Sequence, residues 1–250
     1  MKSRRWVAGL LLAGLFGSLF VNYILLQQLR SRYESQLIQQ IWPAGTTRQP
    51  AASGDTNHLC PVVLLLGDSR ISEWNPPMMT NYHVINAGIP GATTARLRLQ
   101  APELLEQFHP AIVVIQAGIN DLKLIGLRPE LASLLISEAA TNLTELVEIC
   151  SRQNCKVLLL ETWPTSRPRL LRRFIWNQAV PDSIMKLNQQ LRKLNAPARA
   201  IRVADIISEA GRNNQGVLPY RDAIHFRPDA YHLLNPILKE ELKKLDLNRD

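Results

Sequence analysis

The sequence predicts a three-layer α/β/α domain built on a mainly parallel sheet, preceded by one transmembrane helix. Two observations predict the domain. From residue 61 onward, short runs of aliphatic and β-branched residues recur with few alternating polar residues, as in strands covered on both faces, and longer stretches with helical spacing separate them. A third observation predicts the helix: Trp6 to Leu26 (WVAGLLLAGLFGSLFVNYILL) carries no charge.

That run makes a helix roughly 31 Å long at 1.5 Å per residue, the thickness of a bilayer's hydrocarbon core. The competing reading is a cleaved secretory signal. Its apolar region is usually about 7 to 15 residues and ends in small residues, whereas this run is longer and passes into NYILLQQLR. Lys2, Arg4 and Arg5 on one side against Arg30 and Arg32 on the other favour a cytoplasmic amino terminus, with the rest of the chain outside the cytoplasm. The expected division is a short cytoplasmic segment (1–5), a signal-anchor helix (6–28), a stalk and linker (29–60) and a single folded domain (61–250). Leu29, Tyr33, Leu37 and Ile41 give the stalk its helical spacing, and PAGTTRQPAASGDTNHLC after it has no hydrophobic period.

Within the domain, Val62–Leu66, Val84–Asn86, Ala111–Gln116, Val157–Leu160 and Ala200–Val203 read as strands. Thr93–Phe108, Pro129–Ile149, Ser183–Leu194 and Tyr231–Leu247 read as helices, with Pro102 expected to interrupt the first and Pro236 to bend or break the last. Right-handed crossovers close this alternation into one sandwich.

Composition narrows the function. The chain of 250 residues has a net charge of +8, which invites a nucleic-acid reading. Lys2, Arg4, Arg5, Arg30 and Arg32 against Glu34 supply four of those charges before residue 35, so the domain itself is only mildly basic and no nucleic-acid partner is expected. Three cysteines are too few for a disulfide scaffold. Cys150 and Cys155 bracket SRQN and are positioned either to pair or to remain buried thiols. No cluster of Cys and His supports a metal site, and no glycine run has the spacing of a nucleotide-phosphate loop, so no metal and no cofactor is expected.

In an open parallel sheet, ligands gather at the carboxyl ends of the strands, and four polar segments fall there or before the last helix. Gly67-Asp68-Ser69 follows the first strand, where a serine at a strand-to-helix turn presents its hydroxyl at the sheet edge and its own amide toward negative charge; Asp68 and Ser69 also suit a helix cap. Asn86 to Gly91 (NAGIPG) ends the second strand. There Gly88 offers a backbone amide unobstructed by a side chain and Gly91 relaxes the turn into the next helix, although both also serve as plain turn residues. QAGINDL ends the third strand. In it Asn120 is placed to donate to an oxyanion and Asp121 to hold the loop, roles that compete with ordinary turn chemistry. Near the carboxyl end, Asp222 and His225 stand three residues apart, a spacing that lets a carboxylate orient an imidazole as a base. His58 lies in the linker, and His83, His109 and His232 have no such pairing in the same kind of loop.

Together the four segments resemble the SGNH hydrolases, the GDSL-type esterases and lipases, over about residues 61 to 245. Gly67-Asp68-Ser69 matches the nucleophile block, Gly88 the glycine block, Gly118 to Asp121 the asparagine block and Asp222-Ala223-Ile224-His225 the terminal Asp-x-x-His block. The chain departs from the pattern at Ala230, where such proteins often have a glycine before the tyrosine. The resemblance implies a flavodoxin-like sheet, a catalytic triad of Ser69, Asp222 and His225, an oxyanion hole from Ser69, Gly88 and Asn120, and acyl transfer through a covalent serine ester. It implies as substrate an acyl ester of a lipid or of an envelope glycan, hydrolysed by water. The alternative is an O-acetyltransferase or deacetylase acting on an extracytoplasmic glycan, the transferase requiring a membrane acyl-donor protein as partner. The absence of a long apolar insertion leads to the expectation of an open site suited to short acyl groups. Arg167 to Arg173 (RPRLLRR) suits either anionic headgroups and glycans or a solvated helix face.

Overall fold

The computed structural model describes residues 2–41, 60–166, 176, 178–194, 201–213 and 219–247; His58, Arg167 to Arg173 and most of the linker lie outside the described residues. Five parallel strands, β1 (Val62–Gly67), β2 (His83–Gly88), β3 (Ile112–Gln116), β4 (Lys156–Leu160) and β5 (Ile201–Ala204), form one sheet in the order 2-1-3-4-5. The strand order reverses between β1 and β3, which opens a crevice at their carboxyl ends. Alternate residues feed opposite layers: Leu64, Leu66, Val113 and Ile115 join one core and Val63, Leu65, Ile112 and Val114 the other.

The remaining helices are α1 (Lys2–Ile41), α2 (Ser69–Ser72), α3 (Thr94–Phe108), α4 (Ile119–Leu122), α5 (Ala132–Arg152), α6 (Ala179–Leu191), α7 (Ile206–Asn213) and α8 (Pro228–Leu247). Neither Pro102 nor Pro236 breaks its helix. Both prolines face solvent, so water can serve the carbonyl that each leaves without a donor. α6 begins four residues earlier than its apolar stripe indicates because Pro181 sits in its first turn, where a missing N–H breaks no helical bond. The sequence reading overlooked α7, whose eight residues bury Ile206, Ile207 and Ala210. Cys60, Cys150 and Cys155 are free thiols, and burial, followed by its neighbour Cys155, pushes the Cys150 thiol up to about 12.

The largest departure from expectation concerns the stalk. α1 runs unbroken from the apolar segment, but its last three turns lie against α3, α4 and the 3₁₀ turn that follows α4 instead of standing free. Leu37 and Ile41 are 3% exposed and belong to the same core as β1 and β3, with Tyr33 packed against it. Arg30 donates to the Leu127 carbonyl at 3.2 Å, Arg128 pairs with Glu34 at 2.7 Å, and Thr93 Oγ1 donates to the Gln40 carbonyl at 2.8 Å. The helical spacing at residues 33, 37 and 41 thus marks contact with the domain, and the packed unit includes a segment well before residue 61. Between residues 11 and 29 the apolar side chains of α1 stay exposed; among the described residues this is the one helix long and apolar enough to cross a membrane, a criterion that a signal sequence also meets.

Candidate active site

β1 delivers the first functional group. Asp68 caps α2 by accepting the Arg70 N–H at 2.8 Å, which turns the chain sharply and leaves Ser69 half-buried at the carboxyl edge of the sheet. Among the described residues nothing accepts the Ser69 N–H. Burial raises the Asp68 carboxyl above its ordinary range against the pull of Arg70, and its Oδ2 is buried without a partner. Asn86 braces the other end of α2, its Nδ2 donating to the carbonyls of Ile71 and Trp74, each at 2.7 Å.

The loop before α8 delivers the second group. Asp222 Oδ1 accepts the N–H groups of Ile224 and His225, each at 2.9 Å, and Oδ2 lies 2.8 Å from His225 Nδ1. A carboxylate there fixes the Nδ1–H tautomer and leaves Nε2 as an acceptor. Ser69 Oγ stands 2.9 Å from Nε2, in position to donate its hydroxyl proton. Partial burial pushes the Asp222 carboxyl up, but the two backbone donors and the ring outweigh it and hold it at about 2. Asp222 is therefore ionised across the neutral range. Phe226 anchors the loop from below, its ring centroid 5.4 Å from Trp163 and 4.7 Å from Tyr220.

Two residues that the sequence reading did not single out tie these halves together. Arg70 is fully buried beside the serine, and its guanidinium donates to the carbonyls of Ile224 at 2.8 Å, Trp163 at 2.7 Å and Pro164 at 3.0 Å. One side chain thus joins the serine turn, the segment after β4 and the histidine loop. Ser166 clasps that loop again through the carbonyls of Asp222 and Ala223. An arginine after GDS has no sequence signal of burial, since arginine is rarely buried without such partners. Glu73 is a further near neighbour, with Oε1 2.9 Å from Arg221 and 4.0 Å from His225 Nε2.

The glycine expected to supply an amide is corrected by the geometry. Gly88 donates its N–H to Asn86 Oδ1 at 2.9 Å, and a Cβ there would lie 2.2 Å from the Ser72 nitrogen. This glycine exists so that α2 can pack on β2, and its amide is occupied. Gly91 stands open instead: its φ is +74°, a Cβ would meet nothing within 4 Å, and among the described residues nothing accepts its N–H. The turn that holds it is fixed beside Asn120, whose Nδ2 donates to the Ala92 carbonyl at 2.7 Å. Asn120 is buried, its Oδ1 accepts from Lys123 Nζ at 2.5 Å, and its second N–H remains for a ligand. The two glycines therefore respond differently to alanine. Gly88→Ala is expected to prevent folding, whereas Gly91→Ala folds with a loss of about 1 to 2 kcal/mol from its left-handed backbone; urea titrations of the two variants distinguish them.

Asp121 sits beneath the site. It accepts the Thr94 N–H at 3.1 Å and the Thr94 hydroxyl at 2.6 Å, and so fixes the start of α3 against α4. Complete burial raises its carboxyl to about 6 from an ordinary 3.8, against the opposing Thr94 bonds. A carboxyl with a raised folded-state pKa binds its proton more tightly in the folded chain, so its contribution to stability falls as pH rises from 3.8 through about 6. The melting temperature of the native chain minus that of Asp121→Asn should therefore decrease between pH 4 and pH 7. Parallel curves across that interval would exclude this ionisation.

At the same sheet edge, beyond β4 and β5, lies a cleft of about 460 Å³ lined by Gln178, Asn188, Gln189, Arg192, Asp205 and Ser208 among others. Its wall includes Trp163 and Pro164, the residues whose carbonyls Arg70 holds. Among the described residues no group of three or more His, Cys, Asp or Glu could hold a metal ion.

Comparison with known proteins gives this geometry a family. The profile of the GDSL-like lipase/acylhydrolase family matches residues 65–233. Esterase TesA of Pseudomonas aeruginosa is 34% identical over 96 residues, which cover 38% of this chain and 44% of that esterase; the chain thus matches less than half the length of this relative. The fold is similar to that of the M. smegmatis aryl esterase, at 16% identity and a TM-score of 0.58, covering 74% of this chain and 100% of that one. A GDSL-like lipase from Bacteroides thetaiotaomicron has 19% identity and a TM-score of 0.55, covering 86% and 97%. Est24, a carbohydrate acetylesterase from Sinorhizobium meliloti, has 18% identity and a TM-score of 0.56, covering 74% and 99%. Because the family profile extends from within β1 into α8 and takes in more than half of the chain, the protein belongs to the GDSL-like lipase/acylhydrolase family.

Proposed function

We propose that the protein hydrolyses an acyl ester through a covalent intermediate on Ser69. The observation that carries this reading is the continuous line from Ser69 Oγ to His225 Nε2 at 2.9 Å and from His225 Nδ1 to Asp222 Oδ2 at 2.8 Å. His225 takes the hydroxyl proton as Oγ attacks the ester carbonyl, and Asp222 stabilises the imidazolium that forms. The oxyanion meets the Ser69 amide, the Gly91 amide and the free N–H of Asn120. Collapse of the tetrahedral intermediate expels the alcohol, which receives the proton from His225, and water activated by the same imidazole then cleaves the acyl-serine.

The domain works outside the cytoplasm, held by α1 in the membrane with Lys2, Arg4 and Arg5 on the cytoplasmic side. Its substrate carries a short acyl group. The cleft beside the site joins amide, hydroxyl and ionic groups to an apolar wall that includes Trp163, Ile184 and Met185, a mixed lining that accommodates a polar alcohol portion, and the likeness to a carbohydrate acetylesterase points the same way. Stopped-flow mixing with p-nitrophenyl acetate tests the covalent step. The expected result is a burst of p-nitrophenol equal to the enzyme concentration, absent in Ser69→Ala; a burst retained in that variant rules out Ser69 as the nucleophile.

A further inference from the structure

α1 is both the apolar helix and part of the packed domain, and this fixes the height of the active site above the membrane. The apolar run ends at Leu26, and the first contact with the domain follows one turn later, where Arg30 meets the Leu127 carbonyl. Further along the same helix, the Gln40 carbonyl accepts from Thr93, two residues after Gly91 in the turn that Asn120 holds. Leu26 to Gln40 spans fourteen residues of unbroken helix, or about 21 Å at 1.5 Å per residue. Even at the roughly 40° extreme of transmembrane tilt, the rise is about 16 Å. A headgroup layer is only about 5 to 8 Å thick on each side, and the ester carbonyls of phospholipids lie at its inner boundary.

We infer that α1 is a fixed spacer that holds the acyl-transfer centre well outside the membrane surface, so that its substrate is an O-acyl group on a hydrated, hydroxyl-rich chain and the phospholipids of its own membrane are out of reach. The inference rests on the membrane and acyl-transfer readings above and makes them more specific. The spacer is rigid because four kinds of contact fasten it: the Arg30 bond, the Arg128–Glu34 ion pair, the Thr93–Gln40 bond and the burial of Leu37 and Ile41. A free stalk would let the domain bend down onto the lipid. The cleft sets Gln178, Asn188, Arg192 and Ser208 beside Trp163 and Met185, a mixed lining that can donate to the hydroxyls of a polyol and pack on its ring faces.

The test uses the full chain reconstituted into vesicles of phosphatidylethanolamine and phosphatidylglycerol. Added O-acetylated dextran should release acetate, while fatty acid release from the vesicle lipids stays at least a hundredfold slower. Fatty acid release at a comparable rate overturns the spacer. Turnover of p-nitrophenyl acetate without any from the dextran overturns the hydroxyl-rich substrate and leaves the acyl-transfer reading standing. Loss of both acetate release and fluorophosphonate labelling instead counts against the acyl-transfer reading, and the spacer is then decided by a separate readout. For that, a fluorophore on Gln40→Cys, in a Cys60→Ser background, should escape a quencher placed at the hydrocarbon boundary that extinguishes the same fluorophore on Leu26→Cys. Equal quenching at the two positions contradicts the spacer whatever the activity.

Discussion

His225→Ala is expected to lower kcat by about four orders of magnitude while the domain remains folded. The ring makes one bond to Ser69 and one to Asp222, and the loop that carries it is held independently by Arg70 at Ile224, by Ser166 and by the packing of Phe226. Removing the imidazole therefore removes the proposed base without releasing the loop. Asp222→Asn should produce a loss of similar size by a different route. Asparagine can present its N–H to Nδ1, which favours the tautomer with the proton on Nε2, the wrong atom for accepting from Ser69. Steady-state kinetics with a short p-nitrophenyl ester, together with melting curves for both variants, checks this expectation. A tenfold loss or less in the histidine variant would mean that another group serves as base, with Glu73, whose Oε1 lies 4.0 Å from the native His225 Nε2, the candidate.

The second large effect concerns Asn120. Loss of one donor to an oxyanion typically removes about 2.7 to 4 kcal/mol of transition-state stabilisation, roughly a hundred- to thousandfold in kcat. Asn120→Ala is expected to fall in that range with KM nearly unchanged. The same side chain also holds the Ala92 carbonyl, so part of the loss reflects a looser Gly91 turn. Asn120→Asp retains the volume but presents a carboxylate to both the Ala92 carbonyl and the oxyanion, so its kcat should fall below that of the alanine variant. A rise in KM at constant kcat in the alanine variant would assign Asn120 to substrate binding alone.

How much of this was legible in the sequence depended on whether a local pattern had one physical cause. The continuous apolar runs at 62–66, 111–116 and 157–160 meant strands because a parallel sheet buries both faces, and there the reading fell within a residue or so of the observed ends. Asp222 and His225 were recognisable as a candidate pair because their spacing lets a carboxylate reach an imidazole, and it was their place beside the three other polar segments that set them apart from Asp55 and His58 or Asp229 and His232. The NAGIPG turn was harder, since a glycine required by a neighbouring backbone and a glycine that offers its amide leave the same letter; only the Asn86 bond and the approach of α2 separated Gly88 from Gly91. Pro102 and Pro236 misled for the converse reason, because whether proline breaks a helix depends on solvent reaching one carbonyl. Arg70 and the seating of α1 rest on contacts more than fifty residues distant in sequence, and no local periodicity records them.

The central claim is that Ser69 acts as the nucleophile because His225 and Asp222 make it one. Mass-spectrometric mapping of a fluorophosphonate adduct on the full chain, with the labelling rate compared between the native protein and His225→Ala, tests both parts of that claim at once. The account predicts a single adduct on Ser69 that forms at least a thousandfold more slowly in the histidine variant. An adduct on any other residue, or an undiminished rate at Ser69 without the imidazole, would contradict it.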